Sequence, residues 1–210
     1  MQYLVPTAYF DYEHPLIQEM VAPFRTLPSE RERAVALYLR VRDGWRYNPY
    51  RISLRREDYR ASVIAAKPDA HCVDKSILYI AGLRALGMAS RLHLGTVVNH
   101  IAVERLTERF GTNELSPHGM VNVLLNGAWR KASPAFNREL CEKCQVDPLD
   151  FDGLTDSVFQ QYSRTGNRFM EYTEDFGTFA DVPFDFMIET MIRKYPEMAK
   201  RFGQRDVVNF

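Results

Sequence analysis

Hydrophobic positions are densest between residues 72 and 86, where Val73, Ile77, Leu78, Ile80, Ala81, Leu83 and Leu86 leave little room for a polar face. A helix that is apolar around most of its circumference is a central, buried one. Pro68 and Asp69 predict its entry and Gly87 its exit, because glycine takes the left-handed C′ conformation cheaply. An amphipathic helix precedes it. Ser29-Glu30-Arg31-Glu32 reads as a capping box, and Ala34, Leu37, Tyr38 and Val41 follow at helical spacing, with an end near Gly44. A shorter helix is expected over residues 15–24, and an extended segment bearing Tyr3, Tyr9, Phe10 and Tyr12 over residues 1–14.

After Gly87 the period changes to two. Residues 91–98 predict a strand, residues 99–117 an inserted helical loop, and residues 118–125 and 128–132 a hairpin around the Asn126-Gly127 turn. Further on, residues 139–144 read as helical and residues 148–153 as a turn. Phe169, Tyr172, Phe176 and Phe179 make an aromatic stretch, and Pro183 opens a last helix to Tyr195 with a further turn to Phe202. This order predicts an α+β fold, an antiparallel sheet packed on helices. Residues 1–137 form the core with its N-terminal helices, and residues 138–210 a helical and aromatic extension packed on it.

Composition narrows the function classes. Across 210 residues, 27 basic and 27 acidic side chains balance, so no bulk field draws the chain to nucleic acid or to a membrane. Arginines interleave with Trp45, Tyr47 and Tyr50 over residues 45–58, a pattern that can bind single strands. With zero net charge and no binding module it reads as a solvated loop, or next as one contact to an anionic substrate. Three cysteines are too few for a disulfide framework, and no leader or membrane-spanning run is seen, which together predict a cytoplasmic protein. No cofactor or metal is implied.

Cys72 falls in the first turn of the buried helix, where unpaired N–H groups and the positive end of the helix dipole favour a thiolate. Lys75, one turn on, adds a positive charge in favour, and Asp74 a negative one against. His118, taken to begin the first hairpin strand at the sheet edge, is the candidate base, ahead of His71, His93 and His100. The bland alternatives are an inert core thiol and a strand-end histidine. Cys141-Glu142-Lys143-Cys144 is a lone CxxC, a weak zinc signal and a redox motif only within a βαβ context.

These residues resemble the transglutaminase-like superfamily, whose fold is papain-like. Cys72 heads a helix that ends Leu83-Arg84-Ala85-Leu86-Gly87-Met88-Ala89-Ser90-Arg91, similar to the family's cysteine block. His118-x-Met120-x-Asn122, the Asn126-Gly127 turn and Trp129 are similar to its His-x-Trp-x-Glu hairpin. Val41-Arg42-Asp43-Gly44-Trp45-Arg46-Tyr47 is similar to the segment upstream. The likeness spans about residues 30–137 and implies a central helix carrying the cysteine against the antiparallel sheet, with an extra C-terminal helical region.

The resemblance further implies acyl transfer or hydrolysis at an amide of a protein or peptide substrate, with Cys72 as nucleophile and His118 as base. The Cys72 N–H would hold the oxyanion, with a second donor from the region of residues 45–50. Ser133 stands where the family has the Asp that orients the histidine, and Asn137 is the alternative acceptor. Met120 and Asn122 replace the usual Trp and Glu. Two other classes stay open: a degenerate binding or scaffold protein with this fold, and a thiol-redox protein using Cys141 and Cys144.

Overall fold

The computed structural model describes residues 2–101, 103–196 and 207–209. Helices α1 (Pro15–Val21), α2 (Glu30–Gly44) and α3 (Ala61–Ala65) surround α4 (Cys72–Ala85), whose residues 72–84 are all buried. The capping box of α2 forms as expected, with Ser29 Oγ accepting from Glu32 N–H at 3.2 Å and the Glu32 carboxylate accepting from Ser29 N–H at 3.1 Å. Gly87, at φ 84°, ends α4, with Met88 N–H donating to Leu83 O and Gly87 N–H to Arg84 O. Arg84 is buried beside this turn. It donates to the carbonyls of Val5, Ser90 and Ala180, tying the chain start, the next strand and the C-terminal region to α4.

The sheet is antiparallel in the order β6 (Ala128–Ala132), β5 (Glu114–Leu125), β4 (Ser90–Asn99), β7 (Met170–Phe179). Asn126 and Gly127 take φ 49° and 78°, the left-handed pair of a type I′ turn, so the β5–β6 hairpin forms where the dipeptide predicts it. Two short pairings flank the sheet: β1 (Arg46–Tyr47) parallel to β3 (Asp69–Ala70), and β2 (Arg51–Ser53) antiparallel to β8 (Val207–Asn209). No helix among the described residues is long and apolar enough to cross a membrane.

The structure departs from the sequence expectations at several points. Asp69 does not open α4. It lies in β3 with its carboxylate engaged by Arg46 and Asn48, and His71 is the N-cap instead. The insertion after β4 is shorter than expected, holding α5 (Val103–Phe110), because residues 114 and 115 already pair with Val98 and Val97. His118 therefore lies inside β5 rather than at its start, and because β6 pairs only with residues 121–125 the strand is bonded there to β4 alone. Residues 2–14 are mostly turns rather than an extended run, held on the core by fully buried Phe10 and by the Ser90 N–H bond to Tyr3 O.

The aromatic stretch near residue 170 becomes β7, so the C-terminal region supplies a strand of the sheet besides α6 (Arg138–Lys143) and α7 (Phe184–Lys194). Lys194 pins α7 to that sheet through Glu114 and Glu174. The further turn expected up to Phe202 lies outside the described residues.

Candidate active site

Reciprocal capping fixes where α4 begins. Asp74 N–H donates to His71 Nδ1 and His71 N–H to the Asp74 carboxylate, each at 3.3 Å, which leaves Cys72 as the first helical residue. Strand β5 then crosses the first turn of α4 at Gly119. A Cβ there would stand 2.8 Å from Val73 Cα and 3.1 Å from Ser76 Oγ, so only glycine permits this approach. The contact directs Gly119 N–H at the Cys72 sulfur, together with the N–H groups of Val73 and Cys72 itself. These donors favour the thiolate, but burial outweighs them. Cys72 is 6% exposed, and its thiol is pushed up to about 11. The sequence expectation of a lowered thiol pKa is thus corrected.

Lys75 explains part of that correction. It is fully buried, and its ammonium donates at 2.8 Å to Arg42 O at the C-terminal end of α2 instead of serving Cys72. Burial drives its pKa down to about 7.

His118 adjoins Gly119 and is 1% exposed. Burial, and next the nearby His71, lower its imidazole to about 4. With the thiol near 11, both partners are neutral through the physiological range. Tyr172 meets the His118 ring edge-on at 6.2 Å. His118 Nδ1 is buried and has no hydrogen-bond partner among the described residues. Neither expected acceptor reaches it. Asn137 Oδ1 accepts from Tyr47 N–H at 3.0 Å, while the Ser133 backbone bonds to Ser157 O and accepts from the Tyr38 hydroxyl. Ser133 follows β6 in a buried position whose backbone is held by these neighbours.

The other histidines have separate duties. His93 bridges Asn122 and Asp175, His71 caps α4 and lines the Cys72 cavity, and His100 lies 3.4 Å from Glu171. Cys141 and Cys144 are free thiols on and just after α6. Burial raises both, Cys141 to about 11, where it outweighs the Arg42 and Lys75 charges that favour a thiolate. No group of three His, Cys, Asp or Glu side chains among the described residues is placed to hold a metal ion. The arginines of residues 46–56 pair largely with carboxylates: Arg46 with Asp69, Arg55 with Glu57, Arg56 with Asp185.

Tyr47 falls within the 45–50 region from which a second oxyanion donor was expected, without having been assigned there. Its hydroxyl is buried facing the Cys72 sulfur, outside normal hydrogen-bond geometry with any described residue, and burial first, then that sulfur, push its pKa well up. The ring packs edge-on against Phe136 at 4.7 Å. The signal lay in its place on β1, which pairs with β3 immediately before Cys72. Tyr47, Cys72, Tyr59, Met187, Met191 and Tyr195 are among the walls of a cavity of about 50 Å³ over the sulfur. That is room for a water or two, not for a substrate.

Comparison with known proteins follows the same lines. The family model of the transglutaminase-like superfamily matches residues 18–134, which span α2, α4 and the β5–β6 hairpin. A solved structure from Cytophaga hutchinsonii, named a "putative cysteine protease", superposes with a TM-score of 0.52 at 14% identity, covering 88% of this chain and 48% of that one. This chain therefore spans about half the length of that protein, and at such identity the likeness is one of fold. Among curated proteins, none matches the sequence significantly. A buried helix headed by a cysteine, packed at its first turn on a hairpin strand carrying a histidine, agrees with the match over residues 18–134: the chain belongs to the transglutaminase-like superfamily.

Proposed function

We propose that the protein is a thiol-dependent acyl-transfer enzyme acting on amides, with Cys72 as nucleophile and His118 as base. The observation that carries this reading is the close approach of Gly119 to the first turn of α4, which sets the Cys72 sulfur at the head of the helix against the strand that carries His118. In the reaction the Cys72 sulfur attacks the amide carbonyl carbon while His118 takes the thiol proton. The C–N bond then breaks, and that proton leaves on the amine. Water, or a second amine, cleaves the thioester. The Cys72 N–H and the buried Tyr47 hydroxyl are the donors for the oxyanion.

The resting pair is neutral and enclosed. Turnover therefore requires the walls over Cys72, Tyr195 and Met191 among them, to move aside and admit substrate. The orphaned His118 Nδ1 specifically favours a second reading, a binding protein that keeps the fold without the chemistry. Trapping decides between them. Incubation with an activated acyl ester, followed by hydroxylamine, is expected to give a thioester on Cys72 that is released as hydroxamate. An unmodified Cys72 under conditions that acylate Cys144 would leave the binding reading.

A further inference from the structure

We propose that the cavity of about 440 Å³ on the far side of Tyr47 receives a bulky aromatic group on the acyl side of the substrate. This rests on the acyl-transfer reading above for what is carried into it. Continuity is the first support. Tyr47, Pro49 and Leu115 line both this cavity and the small one over Cys72, so a group held there lies one side chain from the sulfur.

The walls define the chemistry. Tyr47, Tyr50, Phe136 and Phe169 turn aromatic rings to the cavity, which suits an occupant that packs edge-to-face or offset. Among the described residues that line it, Arg46 is the charged one and none is a carboxylate, so a lysine or arginine side chain would enter without a counter-charge from them. The volume lies within the range of sites that bury a small ligand. The segment after β1, α5 and α6 build it, and α6 lies beyond the residues that the family model matches.

Cys144 lines the cavity from the end of α6 and takes no part in the proposed chemistry, so Cys144→Trp places an indole where the substrate ring would sit. The readout is the ratio of Cys72 acylation rates with the p-nitrophenyl esters of N-acetylphenylalanine and N-acetylglycine, with the N-acetyllysine ester alongside. The wild type is expected to favour the phenylalanine ester by about ten-fold or more over both others, and Cys144→Trp to bring the ratio close to one. A misfolded variant lowers every rate together and leaves the ratio unchanged. No preference in the wild type, or an unchanged ratio in a Cys144→Trp protein whose rate with the glycine ester matches the wild type, would overturn the proposal.

A second measurement needs no chemistry. Calorimetric titration of Cys72→Ala protein with N-acetylphenylalaninamide should show binding that Cys144→Trp weakens by about ten-fold. Equal binding in both overturns the pocket. Binding lost in Cys144→Trp supports it even where Cys72 of the wild type stays unacylated, the result that sinks the acyl-transfer reading.

Discussion

Gly119→Ala is expected to lower stability by about 1–3 kcal/mol, the usual range for overpacking a well-filled contact, and to slow Cys72 acylation by about a hundred-fold. The added methyl group would meet the Val73 backbone at 2.8 Å, and neither β5, tied to β4 at Gly119 and to β6 from Val121 on, nor the first turn of α4 can yield without separating. Separation withdraws the Gly119 N–H from the sulfur and shifts Cys72 relative to His118. Gly82→Ala provides the comparison. Its Cβ would meet Leu37 Cδ2 at 2.7 Å and Met20 Cε at 3.2 Å, side-chain ends that can rotate, far from the head of α4. Urea denaturation of both variants should then show losses of stability, while acylation kinetics show a loss in Gly119→Ala alone. Equal acylation rates in the two would mean that the strand–helix contact does not position the thiol.

Lys75→Met is expected to stabilise the protein by about 2–4 kcal/mol at pH 7. Burial lowers the Lys75 pKa from 10.5 to about 7, a difference worth about 4–5 kcal/mol against the charged form. Loss of the hydrogen bond to Arg42 O offsets about 1–2 kcal/mol of the gain. The pH dependence follows with a definite sign. Between pH 7 and 10.5 the unfolded chain holds a proton that folded Lys75 releases, so the wild type gains stability as pH rises through that window. The advantage of Lys75→Met should therefore shrink from pH 7 toward pH 10.5. Chemical denaturation at a series of pH values checks this, and an advantage that stays constant or grows would show that Lys75 is not the buried cation described.

Much of the fold was legible because it rests on local rules. The capping box at Ser29, the apolar circumference of α4, the Schellman stop at Gly87 and the Asn126-Gly127 turn each depend on neighbouring residues, and each forms as read. Long-range matters were not legible. Nothing in residues 170–179 announces that they pair with β4, because a twisted strand of aromatic and acidic residues lacks clean alternation. Periodicity places Lys75 one turn from Cys72, but a four-carbon stem let its charge settle on the α2 carboxyl end instead. The depth of burial at Cys72 and His118, which reverses the expected thiol shift, follows from α7 and the segment at residues 47–59 closing over the site. The donor expected from residues 45–50 stayed unassigned for a related reason: Tyr47 is placed by the β1–β3 pairing, a contact between short and distant segments.

The central claim is that His118 drives acyl chemistry at Cys72, and the direct measurement is the rate at which an acyl ester modifies Cys72, followed by peptide mass mapping across pH in wild type and His118→Ala. The account predicts modification of Cys72 ahead of Cys141 and Cys144, slowed by about a hundred-fold or more in His118→Ala at neutral pH. Because the resting imidazole sits near 4, the wild-type rate should hold its advantage over the variant down to mildly acidic pH. Equal rates in the two proteins, or modification confined to Cys144, would contradict it.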